Sequence, residues 1–348
     1  MEDNSRRRGK RVVVTGATGN VGTSVVGALA RDPDITSVLA LARRRPAKEI
    51  PKVEWDTVDL SRADSEDRLA HLMRGADAVV HLAWRFQPTH DPVVTWQSNV
   101  LGSQRVFRAV ARSGVPALVH ASSVGAYSPG PKSEPGVGED WPTDGWPDAA
   151  YCREKAYLER VLDAFELRHP QIRVVRMRPG FLFKETAAPE QRRIFAGRWV
   201  PGTLLRPDLL PVVPDLEGLR FQVLHTEDAA EAYRLAVLRD VRGPFNLAAG
   251  PVIDARALAG MLGTRIVRMP RALVRTVLAG AWRAHAVPAS PHLFDAVLRL
   301  PVLDSGRARD LLGWQPVHTA EDALNAFLRG VREGAGEDTA PLAGRKIG

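Results

Sequence analysis

The chain has 348 residues, of which 45% are hydrophobic and 25% charged, with a net charge of +8. That length buries a sizeable core, and the composition is that of an ordinary globular protein rather than a disordered or fibrous one. The single cysteine, Cys152, excludes a disulfide framework and a cysteine zinc site, and the nine scattered histidines form no His-x-x-x-His pair, so no metal is expected.

Residues 1–9 read as a disordered basic lead-in, with Arg6, Arg7 and Arg8. A Val-rich strand over 11–15 is followed by Gly16, Gly19 and Gly22 and a helix over 21–31. A second apolar strand, 37–42, ends at Arg43-Arg44-Arg45, and a third, 53–58, ends at Asp59-Leu60. A helix over 64–74 leads to a fourth strand, 78–83. A loop with Trp84, Pro88, His90 and Pro92 then enters a helix over 93–112. The fifth strand, 117–123, ends at Ser122-Ser123, and a Pro- and Gly-rich loop spans 128–148. A helix from Tyr151 to Arg168 and a sixth strand, 172–177, close the series at Arg178-Pro179-Gly180. Alternating helices and continuous apolar strands predict a doubly wound parallel sheet of the Rossmann type, covered on both faces. The predicted organisation is a dinucleotide-binding domain over 1–180, rejoined by 222–250. A smaller, mostly helical substrate lobe takes 181–221 and 251–331, and 332–348 forms a loose tail.

The glycine turn carries the first chemistry. Gly16 allows a sharp turn, Gly19 a close approach to a pyrophosphate, and Gly22 a close packing of helix on strand. Thr18, Asn20 and Val21 share that turn and the helix start, whose free N–H groups and dipole favour phosphate. Strand two ends without the acid that would hold a ribose 2′-OH. Arg43, and next Arg44, suit a 2′-phosphate, so NADP(H) is favoured over NAD(H). Asp59 suits an adenine amino group or a cap for the helix that follows. Tyr151 and Lys155 stand four apart on one helical face, where an ammonium would lower the phenol pKa toward a value useful for proton transfer. Ser123, with Ser122 as its competitor, would hold a carbonyl oxygen at the end of strand five.

In order along the chain, these pieces resemble the extended branch of the short-chain dehydrogenase/reductase superfamily, the NAD-dependent epimerase/dehydratase-like proteins. The matching stretches are Thr15-Gly-Ala-Thr-Gly-Asn-Val-Gly22, Asp59-Leu60, His81-Leu82-Ala83, Asn99-Val-Leu-Gly102, Ser122-Ser-Val-Gly-Ala-Tyr127, Tyr151 with Lys155, and Arg178-Pro-Gly180. His225-Thr-Glu-Asp228 and Leu311-Leu-Gly-Trp-Gln-Pro316 also resemble that branch. The resemblance implies that Ser123, Tyr151 and Lys155 are catalytic and that Lys155 also grips the nicotinamide ribose. It implies that Asn99, which also suits a plain helix cap, supports the lysine, that Leu60 follows the adenine-binding Asp59, and that Leu82, Ala83, Pro179 and Gly180 line the cofactor. Two departures bear on the substrate: strand two lacks the acid, and Ala83-Trp84-Arg85 replaces a small-residue turn. Trp84, Trp141 and Trp146 suit an apolar or sugar-stacking pocket, or plain burial.

The leading expectation is an NADP(H)-dependent oxidoreductase acting on a ketone, aldehyde or alcohol of a small molecule. The alternatives are a nucleotide-sugar epimerase or dehydratase that keeps its cofactor, with Arg192, Arg193, Arg198, Arg206 and Arg220 as candidate pyrophosphate ligands, and a non-enzymatic dinucleotide sensor. No apolar run approaches the ~18–20 residues of a membrane span, and three valines are too few for a signal peptide. The basic residues form no recognisable nucleic-acid motif. The expected protein is therefore cytoplasmic, with no membrane or nucleic-acid partner. The Arg-, Leu- and Val-rich stretch 265–299 is expected to cap the substrate rather than meet a membrane. Homodimers are common in the resembling family, although the sequence itself does not show one.

Overall fold

The computed structural model describes residues 9–195 and 212–344. Arg6, Arg7, Arg8, Arg198 and Arg206 lie outside them. The core is one sheet of seven parallel strands in the spatial order β11-β6-β5-β4-β1-β2-β3. Its members are β1 (Lys10–Thr15), β2 (Ile35–Ala42), β3 (Val53–Thr57), β4 (Ala78–His81), β5 (Ala117–Ala121), β6 (Arg173–Pro179) and β11 (Gly243–Leu247). In β1, Val12 and Val14 pack on one face with α1 (Asn20–Arg31) and α7 (Thr226–Leu238). Val13 points to the other face, beside Leu69, Phe107 and Leu158 of α2 (Ser65–Leu72), α4 (Gly102–Ser113) and α5 (Ala150–Arg168). Both faces of this central strand are dry, which is why it reads as an unbroken run of valine.

Two strands stop sooner than the sequence suggests. β4 ends at His81 and β5 at Ala121, so Ala83, Ser122 and Ser123 lie in the chain that peels away from the sheet. The helix expected over 93–112 is α3 (Pro92–Trp96), a π-helical turn (Gln97–Leu101) and α4 in succession. The Pro-rich loop packs against residues 300–303. Tyr127 and Val137 are buried with Leu300 and Leu303, and Trp141 packs against them.

After β6 the chain forms β7 (Phe181–Phe183), α6 (Ala188–Phe195), β8 (Val212–Asp215), β9 (Arg220–Phe221) and β10 (Val223–His225). β10 pairs with β7, and β11 adds a seventh strand beside β6. Beyond β11 lie β12 (Ile253–Asp254), α8 (Ala255–Leu262), β13 (Arg265–Arg268), α9 (Arg271–Arg283), α10 (Pro291–Val297), α11 (Gly306–Leu312) and α12 (Ala320–Glu333). Residues 334–344 are not loose. Leu342 is fully buried, Glu337 takes Lys184 at 2.7 Å and Thr186 at 2.7 Å, and Thr339 donates to Thr18 O at 2.9 Å.

A buried ionic cluster ties α5 to β6. Glu159 accepts from Arg176, Arg178 and Ser122, and Arg178 also reaches Tyr127, whose hydroxyl donates to Asn246. Burial pushes the Glu159 carboxyl up, but Arg178 and Arg176 outweigh it and hold it at about 2. Against an unfolded value of about 4.3, its stabilisation is complete above that pH and is lost as pH falls toward the folded value. Glu159→Gln leaves Arg178 buried without its carboxylate and is expected to cost ~3–5 kcal/mol. Urea melts at neutral pH measure that loss. Repeated on acidification, they should show wild-type stability falling more steeply than the variant's.

Candidate active site

The sheet reverses its order between β1 and β4, where a crevice opens beyond the strand ends. Gly16 occupies it with φ +73°, and a Cβ there would lie 2.6 Å from the Ala83 backbone. A Cβ on Gly22 would lie 2.1 Å from Gly16 O, so α1 rests directly on the turn. The nearest atom to a Cβ on Gly19 is 3.7 Å away, which leaves that side open. Gly19 begins α1 without a side-chain cap. Instead, the Asn20 N–H donates to Glu190 Oε2 of α6 at 3.2 Å, and burial pushes the Glu190 carboxyl up.

A cavity of about 530 Å³ runs from this turn along the strand ends. Its walls include Gly16, Thr18, Gly19, Asn20, Val21, Gly22, Arg43, Asp59, Leu60, Leu82, Ala83, Pro179 and Gly180. Arg44 is not in the wall. Asp59 Oδ1 accepts from the Ser61 N–H at 3.0 Å and Oγ at 2.7 Å. It therefore caps a turn, not the helix that begins at Ser65. Burial pushes the Asp59 carboxyl up, but the Ser61 hydrogen bonds and the Arg43 and Arg85 charges hold it below the ordinary range. The opposite end of the cavity is apolar, with Ile194 of α6, Leu278 of α9, and Leu293, Phe294 and Val297 of α10. Among the described candidates for a pyrophosphate, Arg192, Arg193 and Arg220 are all absent from the wall; Arg193 donates to Pro341 O instead.

Ser123, Tyr151, Lys155 and Asn99 reach the same cavity. Tyr151 opens α5 and lies between Phe86, stacked at 5.0 Å, and Trp84, edge-on at 5.7 Å. A Cβ on Gly125 would meet the Tyr151 ring at 2.6 Å. The Ser123 Oγ accepts the Gly125 N–H at 3.0 Å and is hydrogen-bonded with the Tyr151 hydroxyl. Ser122 is also in the wall, but its hydroxyl is spent on Glu159. The Lys155 Nζ donates to Ala121 O at 2.6 Å and lies 6.0 Å from the Tyr151 ring centre. The expected depression of the phenol is not found. Burial pushes Tyr151 well above its ordinary value, with the Ser123 bond working against it. Burial also brings the Lys155 ammonium down to about 7, against the pull of Glu154 and Glu159. Desolvation outweighs attraction at this separation.

Asn99 sits in the π-helical turn, a feature often found at functional sites. Its amide oxygen accepts the Arg85 N–H at 2.7 Å. Its nitrogen donates to Arg85 O at 2.9 Å and to Glu154 Oε2 at 2.7 Å. It is thus a clamp between the β4–α3 loop and α5, not a helix cap. Sequence reading missed Glu154, which also takes Thr95 at 2.6 Å. Its one signal was its place between Tyr151 and Lys155. Also missed were Glu190 and Pro341, which line the cavity from distant segments. Of the three tryptophans considered, Trp84 lines it, while Trp141 and Trp146 pack elsewhere. Gly125→Ala is expected to displace the Tyr151 ring and, by misplacing a reacting group, to lower turnover on the order of 10²-fold. Steady-state kinetics beside a melting curve check this: turnover should fall far more than stability.

Residues 12–248 match the model of the NAD dependent epimerase/dehydratase family. An uncharacterized protein of Mycobacterium tuberculosis is 26% identical, covering 92% of this chain and 84% of that one. The UDP-glucose 4-epimerase of Mycolicibacterium smegmatis is 27% identical, covering 88% and 93%. Among solved structures, the dTDP-glucose 4,6-dehydratase DesIV of Streptomyces venezuelae, with NAD and TYD bound, superposes with a TM-score of 0.68. It is 21% identical, covering 96% of this chain and 100% of that one, a likeness of fold.

Proposed function

Because the chain belongs to the NAD dependent epimerase/dehydratase family, we propose that it oxidises a secondary alcohol on a nucleotide-linked sugar and returns the hydride within one turnover. The observation that carries this reading is the placement of Ser123, Tyr151 and Lys155 in the same cavity wall as the open glycine turn. The fit to a nicotinamide dinucleotide rests on that turn, where Gly19 leaves space and has no side chain to cap the first N–H groups of α1, of which that of Asn20 is held by Glu190. When bound, the dinucleotide supplies the hydride acceptor and donor.

In this reading the chain's own residues handle the proton and the geometry. Tyr151 would act from its phenolate form, taking the proton of the substrate alcohol and giving it back, with Ser123 donating to the same oxygen. Lys155 would hold the ribose and bring its positive charge toward that phenolate. Asn99 and Glu154 fix the loop and the helix that present these groups. Asp59 would take the adenine end and Arg43 the adenosine ribose. A pyrophosphate oxygen would compete with Glu190 for the Asn20 N–H.

Two features support a retained cofactor over an exchanging one. The segment 334–344 lies across the glycine turn through Thr339, with Pro341 in the cavity wall. The full-length likeness to a UDP-glucose 4-epimerase points the same way. A second reading, an NADP(H)-dependent reductase, draws on Arg43 and on the apolar far end of the cavity. Denaturing the purified protein and analysing the supernatant decides between them. The first reading expects released NAD; the second expects empty protein that NADPH stabilises more than NADH. Tyr151→Phe should keep its dinucleotide and lose ~10²–10⁴ in turnover of a substrate found by screening. Unchanged turnover would contradict the assigned proton transfer.

A further inference from the structure

Lys155 is buried, and its ammonium has one hydrogen-bond acceptor among the described residues, Ala121 O. No carboxylate pairs with it there. Glu154, its neighbour on α5, is taken up by Thr95 and Asn99. Glu159, one turn further on, is taken up by Ser122, Arg176 and Arg178. His81 on β4 and His120 on β5 stand near and are kept neutral by burial, which pushes both well below their ordinary value. Tyr151 is kept neutral in the same way. What faces the cation from the β4–α3 loop is the Trp84 indole, with Nζ 3.5 Å from its ring centre.

That distance places the ammonium on the negative face of the ring, the strongest of the side-chain π surfaces. The Trp84 Nε1–H is buried and has no acceptor among the described residues. The loop cannot drift, because both Arg85 backbone groups are held by Asn99. The same ring touches Tyr151 edge-on, so one side chain contacts both members of the pair.

We propose that Trp84 is a positioning residue for Lys155, its ring face holding the ammonium charged and in place beside Ala121 O, where no described carboxylate pairs with it directly. The importance of this for turnover rests on the role proposed above for Lys155, whereas the contact does not. At a desolvated site such a contact favours the charged form by about tenfold or more, which moves the titration by about one pH unit.

Competitive acetylation of the full chain with trace acetic anhydride, read lysine by lysine by peptide mass spectrometry over a pH series, measures this without cofactor or substrate. Trp84→Leu is expected to move the Lys155 titration down by about one pH unit, and Trp84→Phe by less. Lys52 and Lys132 should not move. Trp84→Met has a longer, more adaptable side chain without a π face and should behave as Trp84→Leu, which keeps the test open if the leucine variant does not fold. An unmoved Lys155 titration in a folded Leu or Met variant overturns the proposal, even if turnover is lost. A moved titration in a chain that binds no dinucleotide would uphold the contact and overturn the reading of the site instead.

Discussion

Two close approaches hold the site together at the reversal of the sheet. The backbone of α1 lies against Gly16 O at a distance that leaves no room for a Cβ on Gly22. The backbone of Ala83 likewise leaves none for a Cβ on Gly16. Through these contacts β1, α1 and the chain leaving β4 meet at one point. The N–H groups at the start of α1 and the loop bearing Trp84 and Phe86 take their places from that meeting. A side chain at either glycine would open a wedge between helix and strand before it touched any ligand.

Around that point the protein buries charge without directly pairing all of it. Glu154 and Glu159 are each committed to several donors, one locking Asn99 and the other locking β6. Among the described residues Lys155 has no carboxylate to itself, and its ammonium lies 6.0 Å from the Tyr151 ring centre, so burial governs both. The two groups that the proposed chemistry needs are therefore held away from their ordinary protonation behaviour by a rigid, buried setting. A ligand that brings polar oxygens to Lys155 would replace the acceptors this setting lacks.

The parts written in contiguous residues were legible in the sequence. The valine run and its three glycines specified strand, turn and helix, and the four-residue spacing of Tyr151 and Lys155 put them on one face. Parts assembled from distant segments were not legible. Glu190 meets Asn20 across 170 residues and Thr339 meets Thr18 across 321, and neither contact leaves a local pattern. The second-lobe arginines looked like anion ligands because composition reports charge without direction; Arg193 turns to a carbonyl of the C-terminal segment. The sign of the Tyr151 shift was misjudged because spacing on a helix gives proximity and says nothing of desolvation. Asn99 reads as a cap from its surroundings in sequence, yet it sits within a helix whose π turn aims it at Arg85 and Glu154.

A crystal structure of the chain with a nicotinamide dinucleotide tests the central claim most directly. The account predicts a pyrophosphate on the N–H groups at the start of α1, with Glu190 displaced from Asn20, and nicotinamide beside Tyr151. Lys155 should donate to the ribose. A complex with the dinucleotide elsewhere, or with Glu190 still on Asn20 and no contact between Lys155 and the ribose, would contradict it.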